Sequence, residues 1–383
     1  MFRSPFIKIS KSAINQNIEF IRSILKEGVK LSCVIKSNAY GHGVDEYVPL
    51  AESAGVDHFS VFSADEAFEV KRVCKPETDI MIMGFTDDQA LPWCIEQGIE
   101  FYVFDFNRLI QVNELAAKMH KKAKLHIEIE TGFNRTGFPI SEFGDVLKYL
   151  KANESTLSFE GLCTHYAGAE SIANYVRIQN QLKRFLSARR KAEKAGITPK
   201  RYHTASSAAT IVYPNTQMDM VRIGIMQYGF WPTPETQVQY INRHGQPRQP
   251  LRRILSWKSA IMSIKKVKAG EFIGYGTSYL AITDKVIATV PVGYAHGFPR
   301  SLSNIGRVLV HGKRVGVIGT VNMNMMTIDV TALQQVKPGD EVVIIGHQGD
   351  FDISVASFSE LSAQVNYETL TRLPANIRRL VVE

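Results

Sequence analysis

Lys36 stands where a run of apolar and neutral residues gives way to polar, glycine-rich chain, "CVIKSNAYGHG" at 33–43. Apolar walls on one side and an open mouth on the other disfavour the ammonium form. An amine so placed can lose its proton and attack a carbonyl. The same pattern also suits a lysine that merely snorkels from a strand end, so other residues must decide. Polar groups recur at the ends of similar runs. They are Asn38 and Tyr40, then Glu128, Glu130 and Arg135 in and around "ETGFNRTGF", then His165, then Ser206 and Ser207, then Arg222, Gly224 and Ile225. The set holds an amine, two guanidiniums, an imidazole, a phenol, hydroxyls and backbone amides. It lacks the His/Cys/Asp cluster of a metal site and the paired carboxylates of a glycosidase. A lysine nucleophile beside an anion-binding mouth suits a carbonyl cofactor that carries a phosphate. Pyridoxal 5'-phosphate fits, joined to Lys36 as a Schiff base, its phosphate on Tyr40, Ser207 and the backbone around Gly224 and Ile225.

The elements that must position these groups are legible as short β-branched runs. They are "LSCVIK" (31–36), "HFSVF" (58–62), "DIMIM" (79–83), "EFYVF" (100–104), "KLHIEIE" (124–130), "FEGLCTH" (159–165), "KRYHTA" (200–205) and "MDMVRIG" (218–224). Helical patterns such as 44–54, 64–73, 107–119 and 172–195 lie between them. Eight strands, each trailed by a helix, predict a (β/α)8 TIM-type barrel, whose active site sits at the C-terminal strand ends. A doubly wound open sheet is the structural rival. No G-x-G-x-x-G follows the first strand, which argues against a dinucleotide site. Beyond about residue 240 short strands alternate with Gly, Asp and Pro turns, predicting a mainly-β domain. We therefore expect a barrel over 1–240 and a C-terminal β domain over 241–383, with the first residues pairing with the latter. "VLVHGKRVGVIG" predicts a hairpin turning at Gly312, and "VKPGDEVVII" a strand entered through a Pro-Gly turn.

The chain has 383 residues, 45% hydrophobic and 21% charged, with a formal net charge of +8. That is enough for a large core. Part of the basic excess sits in "RHGQPRQPLRR", and no Lys/Arg stripe interleaved with aromatics predicts a nucleic-acid partner. No apolar run is long enough to cross a bilayer, and the N-terminus has no signal-peptide core. The cysteines Cys33, Cys74, Cys94 and Cys163 form no C-x-x-C pair, so we expect reduced thiols in a cytoplasmic protein.

"VIKSNAYGHG" resembles the cofactor-lysine signature of the alanine racemase family. The resemblance runs along nearly the whole chain. "ETGFNRTG" resembles that family's Arg-bearing loop, "THYA" its ring-stacking His segment, and "HTASSAAT" its phosphate serine. "VRIGIMQYG" resembles the segment whose Arg meets the pyridine nitrogen, and "GYGTSY" and "VGYAHGFPR" resemble two C-domain motifs. The resemblance implies a PLP-dependent racemase of fold type III that interconverts L- and D-alanine, a peptidoglycan precursor. It implies a head-to-tail homodimer with shared active sites, and a two-base mechanism. Lys36 serves one face of the substrate. Tyr275, on the β domain and reaching across the dimer, serves the other. A tyrosine, whose pKa is ordinarily near 10, needs cationic neighbours to act as a base; Arg222 and His165 are the candidates.

The resemblance also places Arg222 on the pyridine nitrogen, Ser206 and Ser207 near the phosphate, and Tyr294 and Met323 at the substrate entrance. Arg135 should hold the cofactor's phenolic oxygen or the substrate carboxylate. Three positions depart from the family pattern. Glu128 stands where members often carry a carbamylated lysine, and we expect it to hydrogen-bond Arg135 in that lysine's stead. Ala375 stands where some members have a tyrosine at the pocket mouth. Asn322-Met323-Asn324 replaces the usual Cys-Met-Asp. Alternatives are a serine or broad-specificity racemase, a fold-type III decarboxylase, and a non-catalytic PLP-binding protein. The decarboxylase's Cys/Asp pocket is not found here, and PLP carriers of the third kind lack a β domain.

Overall fold

The computed structural model describes residues 4–245, 249–362 and 366–383. The chain divides into two compact units. One comprises Ala13–Ser37 and Val48–Arg252, the other Met1–Ser12, Asn38–Tyr47 and Arg253–Glu383. Strand β1 (Phe6–Ser10) belongs to the second unit.

The first unit holds an eight-stranded parallel sheet of β2 (Lys30–Val34), β3 (His58–Val61), β4 (Asp79–Ile82), β5 (Glu100–Val103), β6 (Ala123–Glu128), β7 (Leu157–Cys163), β8 (Arg201–His203) and β9 (Met220–Ile223). Neighbours follow chain order from β2 to β8, and β9 pairs with β2, placing Ser32 beside Arg222. The two ends of the sheet meet where Ser206 bridges Arg222 and the Arg222 N–H donates to the Ala205 carbonyl at 2.9 Å. The result is a nearly closed barrel of the expected class. Its strands are largely apolar because both faces are buried, one against the interior and one against helices, with His58, Glu100, His126 and His203 as buried polar exceptions. The helices start where capping residues allow. Ser63 accepts from Glu66 N–H ahead of Ala64–Val73, and Asp105 from Arg108 N–H ahead of Phe106–Lys118. Along Tyr175–Lys194 the buried positions Ile178, Gln181, Leu182, Phe185, Ala188 and Ala192 recur every three or four residues, one apolar stripe with a single polar member.

The second unit is a ten-stranded sheet. It contains β10 (Leu255–Ala260), β11 (Ser263–Val267), β12 (Lys285–Val290), β13 (Arg307–Val310), β14 (Lys313–Ile318), β15 (Met326–Asp329), β16 (Glu341–Gln348), β17 (Phe351–Ile353) and β18 (Arg378–Val382). β1 lies between β10, antiparallel, and β18, parallel, so the two ends of the chain share one sheet. His311 and Gly312 turn β13 into β14, both at positive φ. The Asp340 carboxylate accepts from Lys337 N–H at 2.9 Å and shapes the turn into β16. In the same unit the buried Arg379 donates to the carbonyls of Pro374, Ala375, Ile377 and Gly41. This side chain ties the segment Asn38–Tyr47 to the end of the chain.

Asn17, on the helix Lys11–Ser23, is fully buried. Its amide donates to the carbonyls of Gln227 and Arg252 and its oxygen accepts from Arg252 N–H at 2.8 Å. Asn17→Ala removes three hydrogen bonds to the backbone of Gln227 and Arg252, worth about 0.5–1.5 kcal/mol each. The urea unfolding midpoint should fall by an amount worth about 2–4 kcal/mol with the m-value unchanged.

Candidate active site

Directly after β2 the chain makes a turn that few sequences adopt. Ser37, Asn38, Ala39 and Tyr40 all have φ between 51° and 53°, a left-handed helical turn, followed by Gly41 at 77° and Gly43 at 97°. Gly41 is obligatory, since a Cβ there would strike the Leu370 carbonyl. On the barrel side the Glu66 carboxylate accepts from Ser37 N–H at 2.6 Å and from Phe62 N–H at 2.7 Å, pinning the turn's entry. Lys36 is thereby fixed at the barrel mouth. Burial lowers its pKa, and the Arg135 guanidinium lowers it further, with Glu66 pulling the other way. The amine is therefore easier to deprotonate than an ordinary lysine, as a nucleophile or base requires.

The rest of the mouth is built from the loops after β6 to β9. Arg222 is buried. Its guanidinium donates to the carbonyls of Thr164 at 2.8 Å, His203 at 3.0 Å and Thr204 at 3.2 Å, and to the ring nitrogen Nδ1 of His203. Gln181, the polar member of its helical stripe, clamps two of the loops. It donates to Thr131 Oγ1 and the His165 carbonyl and accepts from Ala167 N–H. The Ser207 hydroxyl oxygen accepts from Gly224 N–H at 2.9 Å, joining the turn after β8 to the backbone that leads into Ile225. Tyr40, buried in the second unit, has its ring 6.0 Å from that of Tyr367.

Two expectations need correction. His165 does not supply a cation: burial, then Arg222, Arg135 and Lys36, push its pKa down to about 3, so the ring is neutral at physiological pH. The field of three basic groups cannot add a fourth charge in so small a space. Glu128 and Arg135 also share no hydrogen bond. The Arg135 guanidinium lies over the Phe133 ring, 4.3 Å from its centroid. Burial raises the Glu128 pKa against the Thr136 hydroxyl and the guanidiniums of Arg222 and Arg135. Glu130 turns to its own loop and accepts from the N–H groups of Gly132 and Asn134.

In the second unit, Tyr275 is 73% exposed between Gly274 and Gly276, both at positive φ. It lines a cleft of about 510 Å³ with Tyr294, Arg300, Asn322, Met323 and Asn324. Tyr294 and Ala295 donate to the carbonyls of Asn322 and Met323. A Cβ at Gly293 would strike both carbonyls, so only glycine lets these loops meet. Ala375 is exposed. Arg300, Thr164 and Thr204 lie inside "VGYAHGFPR", "THYA" and "HTASSAAT" without being singled out above, and Glu66 and Gln181 lie outside every such motif. Gln181 carries a signal of its own, a polar residue on an apolar helical stripe.

Known proteins match over the same length. The family described as alanine racemase, N-terminal domain, matches residues 9–232, and alanine racemase, C-terminal domain, matches 254–381. The chain belongs to the alanine racemase family. An alanine racemase of Leptospira interrogans is 34% identical over 380 residues, covering 99% of this chain and 96% of that protein. The crystal structure of alanine racemase from Bacillus anthracis with bound L-Ala-P superposes with a TM-score of 0.88 at 30% identity, covering 100% of this chain and 96% of that one. A histidine racemase from Leuconostoc mesenteroides superposes with a TM-score of 0.87 at 26% identity, covering 99% and 98%. The protein is thus an isomerase of the amino-acid racemase class. Among the described residues no helix is long and apolar enough to cross a membrane, and no group of three or more His, Cys, Asp or Glu is arranged to hold a metal ion.

Pyridoxal phosphate suits the residues at the mouth. Lys36, Arg135 and Arg222 act on common neighbours there, and the nearby carboxylate, Glu128, has its ionisation opposed by burial. An excess of positive charge, with Arg222 buried, Lys36 half-buried and Arg135 exposed at the rim, calls for an anionic ligand, and a depressed amine for a carbonyl.

The depressed His165 pKa has a consequence for stability. The unfolded chain binds this proton near pH 6.5 and the folded chain only near about 3. Stability from the neutral ring is complete above the higher value and is lost as pH falls through that window. Each pH unit within it costs about 1.4 kcal/mol. Unfolding free energies of the cofactor-free protein should therefore drop below pH 6.5, and less steeply for His165→Asn.

Proposed function

We propose that the protein interconverts L- and D-alanine with pyridoxal 5'-phosphate, as a cytoplasmic head-to-tail homodimer, using Lys36 and Tyr275 as its two bases. The observation that carries this reading is the half-buried Lys36 amine, its pKa lowered by burial and by Arg135, at the mouth of the barrel. The cofactor, when bound, acidifies the α-proton of an amino acid by drawing its electrons into the ring. Lys36 Nζ takes that proton on one face, and Tyr275 Oη of a second copy returns one on the other. Arg222 donates a hydrogen bond toward the pyridine nitrogen and keeps its own proton. Ser206, Ser207, Tyr40 and the backbone at Gly224 and Ile225 hold the phosphate. His165, a neutral ring, packs on the cofactor rather than competing for its charge. Arg135 faces the phenolic oxygen or the substrate carboxylate. Tyr294 and Met323 line the entrance. Four free thiols suit a reducing compartment.

Incubation with single L-amino acids followed by chiral chromatography tests the assignment. D-alanine should form from L-alanine and nothing should form with Lys36→Ala; no turnover of alanine by the cofactor-loaded enzyme sinks it. A second reading, racemisation of a different or larger amino acid, has support in the likeness to a histidine racemase and in the small side chain of Ala375. The same panel separates the two.

The shared-site dimer makes a separate prediction. Lys36→Ala and Tyr275→Phe chains, each inactive alone, should regain activity when unfolded and refolded together. Random pairing leaves both bases in about a quarter of the sites. A mixture as inactive as its components would refute sharing across the dimer.

A further inference from the structure

Beneath the mouth a line of polar side chains crosses the barrel interior. It runs from Arg222 on β9 to His203 on β8, His126 on β6, Glu100 on β5 and His58 on β3, all buried. His203 Nε2 lies 2.8 Å from His126 Nδ1, and His126 Nε2 lies 2.7 Å from Glu100 Oε2. His58 Nε2 approaches the same oxygen at 3.3 Å, and its Nδ1 lies 2.9 Å from Ser32 Oγ. The other Glu100 oxygen accepts from Arg201 at 3.3 Å. The racemase chemistry proposed above uses none of these groups beyond Arg222.

The protons in this line are fixed by one end. Arginine has only donors and is not deprotonated in proteins, so His203 Nδ1 beside it must be an acceptor. A neutral His203 then carries its proton on Nε2 and donates to His126 Nδ1. His126 carries its own on Nε2 and donates to Glu100. A protonated His126, or a protonated Glu100 donating to it, would reverse the line and set a His203 N–H against the guanidinium.

We infer that Glu100 is the counter-ion of Arg222, coupled to it through two neutral histidines held as Nε2–H tautomers. The role of Glu100, His126 and His203 is positioning: they hold the guanidinium as a full cation with a fixed edge toward the mouth. That the edge faces a pyridine nitrogen rests on the proposed function; the proton arrangement does not. Burial drives the His203 pKa far down, with Arg222 adding to it. Burial raises the Glu100 pKa, but the hydrogen bonds from His126 and His58 outweigh it and hold the carboxyl far below the usual range. Around Arg222 stand Glu128, His165, Tyr102, Cys163 and Tyr166, and around Glu100 stand His58, His126 and Arg201.

Nitrogen NMR of the histidine rings in the full-length protein, as purified, tests this without substrate. His126 and His203 should each show one protonated nitrogen, Nε2, at neutral pH. A doubly protonated ring, or an Nδ1–H tautomer, at either position overturns the inference. Glu100→Gln keeps an acceptor oxygen and removes the charge. It should move the His203 Nδ1 and Arg222 guanidinium resonances. Asp79→Asn, which removes a carboxylate that meets Arg201 at 3.6 Å, should leave both in place. Equal shifts in the two variants, or none in Glu100→Gln, would overturn it; if Glu100→Gln does not fold, the tautomers of the unaltered protein still decide. Loss of racemase activity with the expected tautomers present would count against the proposed function alone.

Discussion

Arg222 carries a proton that it cannot release, and it carries it inside a barrel. Everything within hydrogen-bond reach must therefore accept. The strand ends of a parallel barrel supply acceptors naturally, since each strand presents its last carbonyls at the same face. Thr164, His203 and Thr204 give theirs to the guanidinium. The same charge reaches outward. With Arg135 and Lys36 it reinforces the effect of burial and keeps His165 neutral. The neutral state of His165 thus follows from its burial and from the field of a buried guanidinium, Arg222, with Arg135 and Lys36 adding to it.

The left-handed turn after Lys36 is a second constraint, and a costly one. A non-glycine residue in this conformation costs roughly 1–2 kcal/mol, and four stand in succession. Such strain persists only where surroundings over-determine it. Here both ends are held. Glu66 fixes Ser37 and Phe62, and the Asn38 side chain accepts from Val44 N–H at 2.9 Å. Arg379 grips the Gly41 carbonyl. A right-handed turn would carry the chain after β2 in another direction and swing Lys36 with it.

The eight barrel strands were legible because strands buried on both faces are rich in apolar and β-branched residues, even where a buried His58 or Glu100 interrupts them. "HFSVF" and "EFYVF" announced β3 and β5 to within a residue. Strand ends were less legible: "KRYHTA" reads as six residues, but only Arg201–His203 keep ladder partners. The mouth residues were legible where chemistry marks a side chain, as with Lys36, Arg222 and Ser207. The charge state of His165 was not, because it depends on the fields of residues from other loops. The polar line through the barrel was least legible of all. In sequence His58, Glu100, His126 and His203 are isolated residues in four separate runs. Only the register of β3, β5, β6 and β8 aligns them, and register is a property of pairs of strands.

The two proposed bases sit in opposite environments. Lys36 is walled in beside basic groups, whereas Tyr275 is 73% exposed on a glycine-flanked turn. A phenol in water gives up its proton only near pH 10, and none of its neighbours in the cleft except Arg300 is basic. An exposed tyrosine becomes a base at neutral pH only when another surface removes water and brings cations to it. The barrel mouth has those cations in excess and the cleft has the phenol, and the deficit of each is what the other offers. This complementarity is the physical argument for a site shared between two copies of the chain.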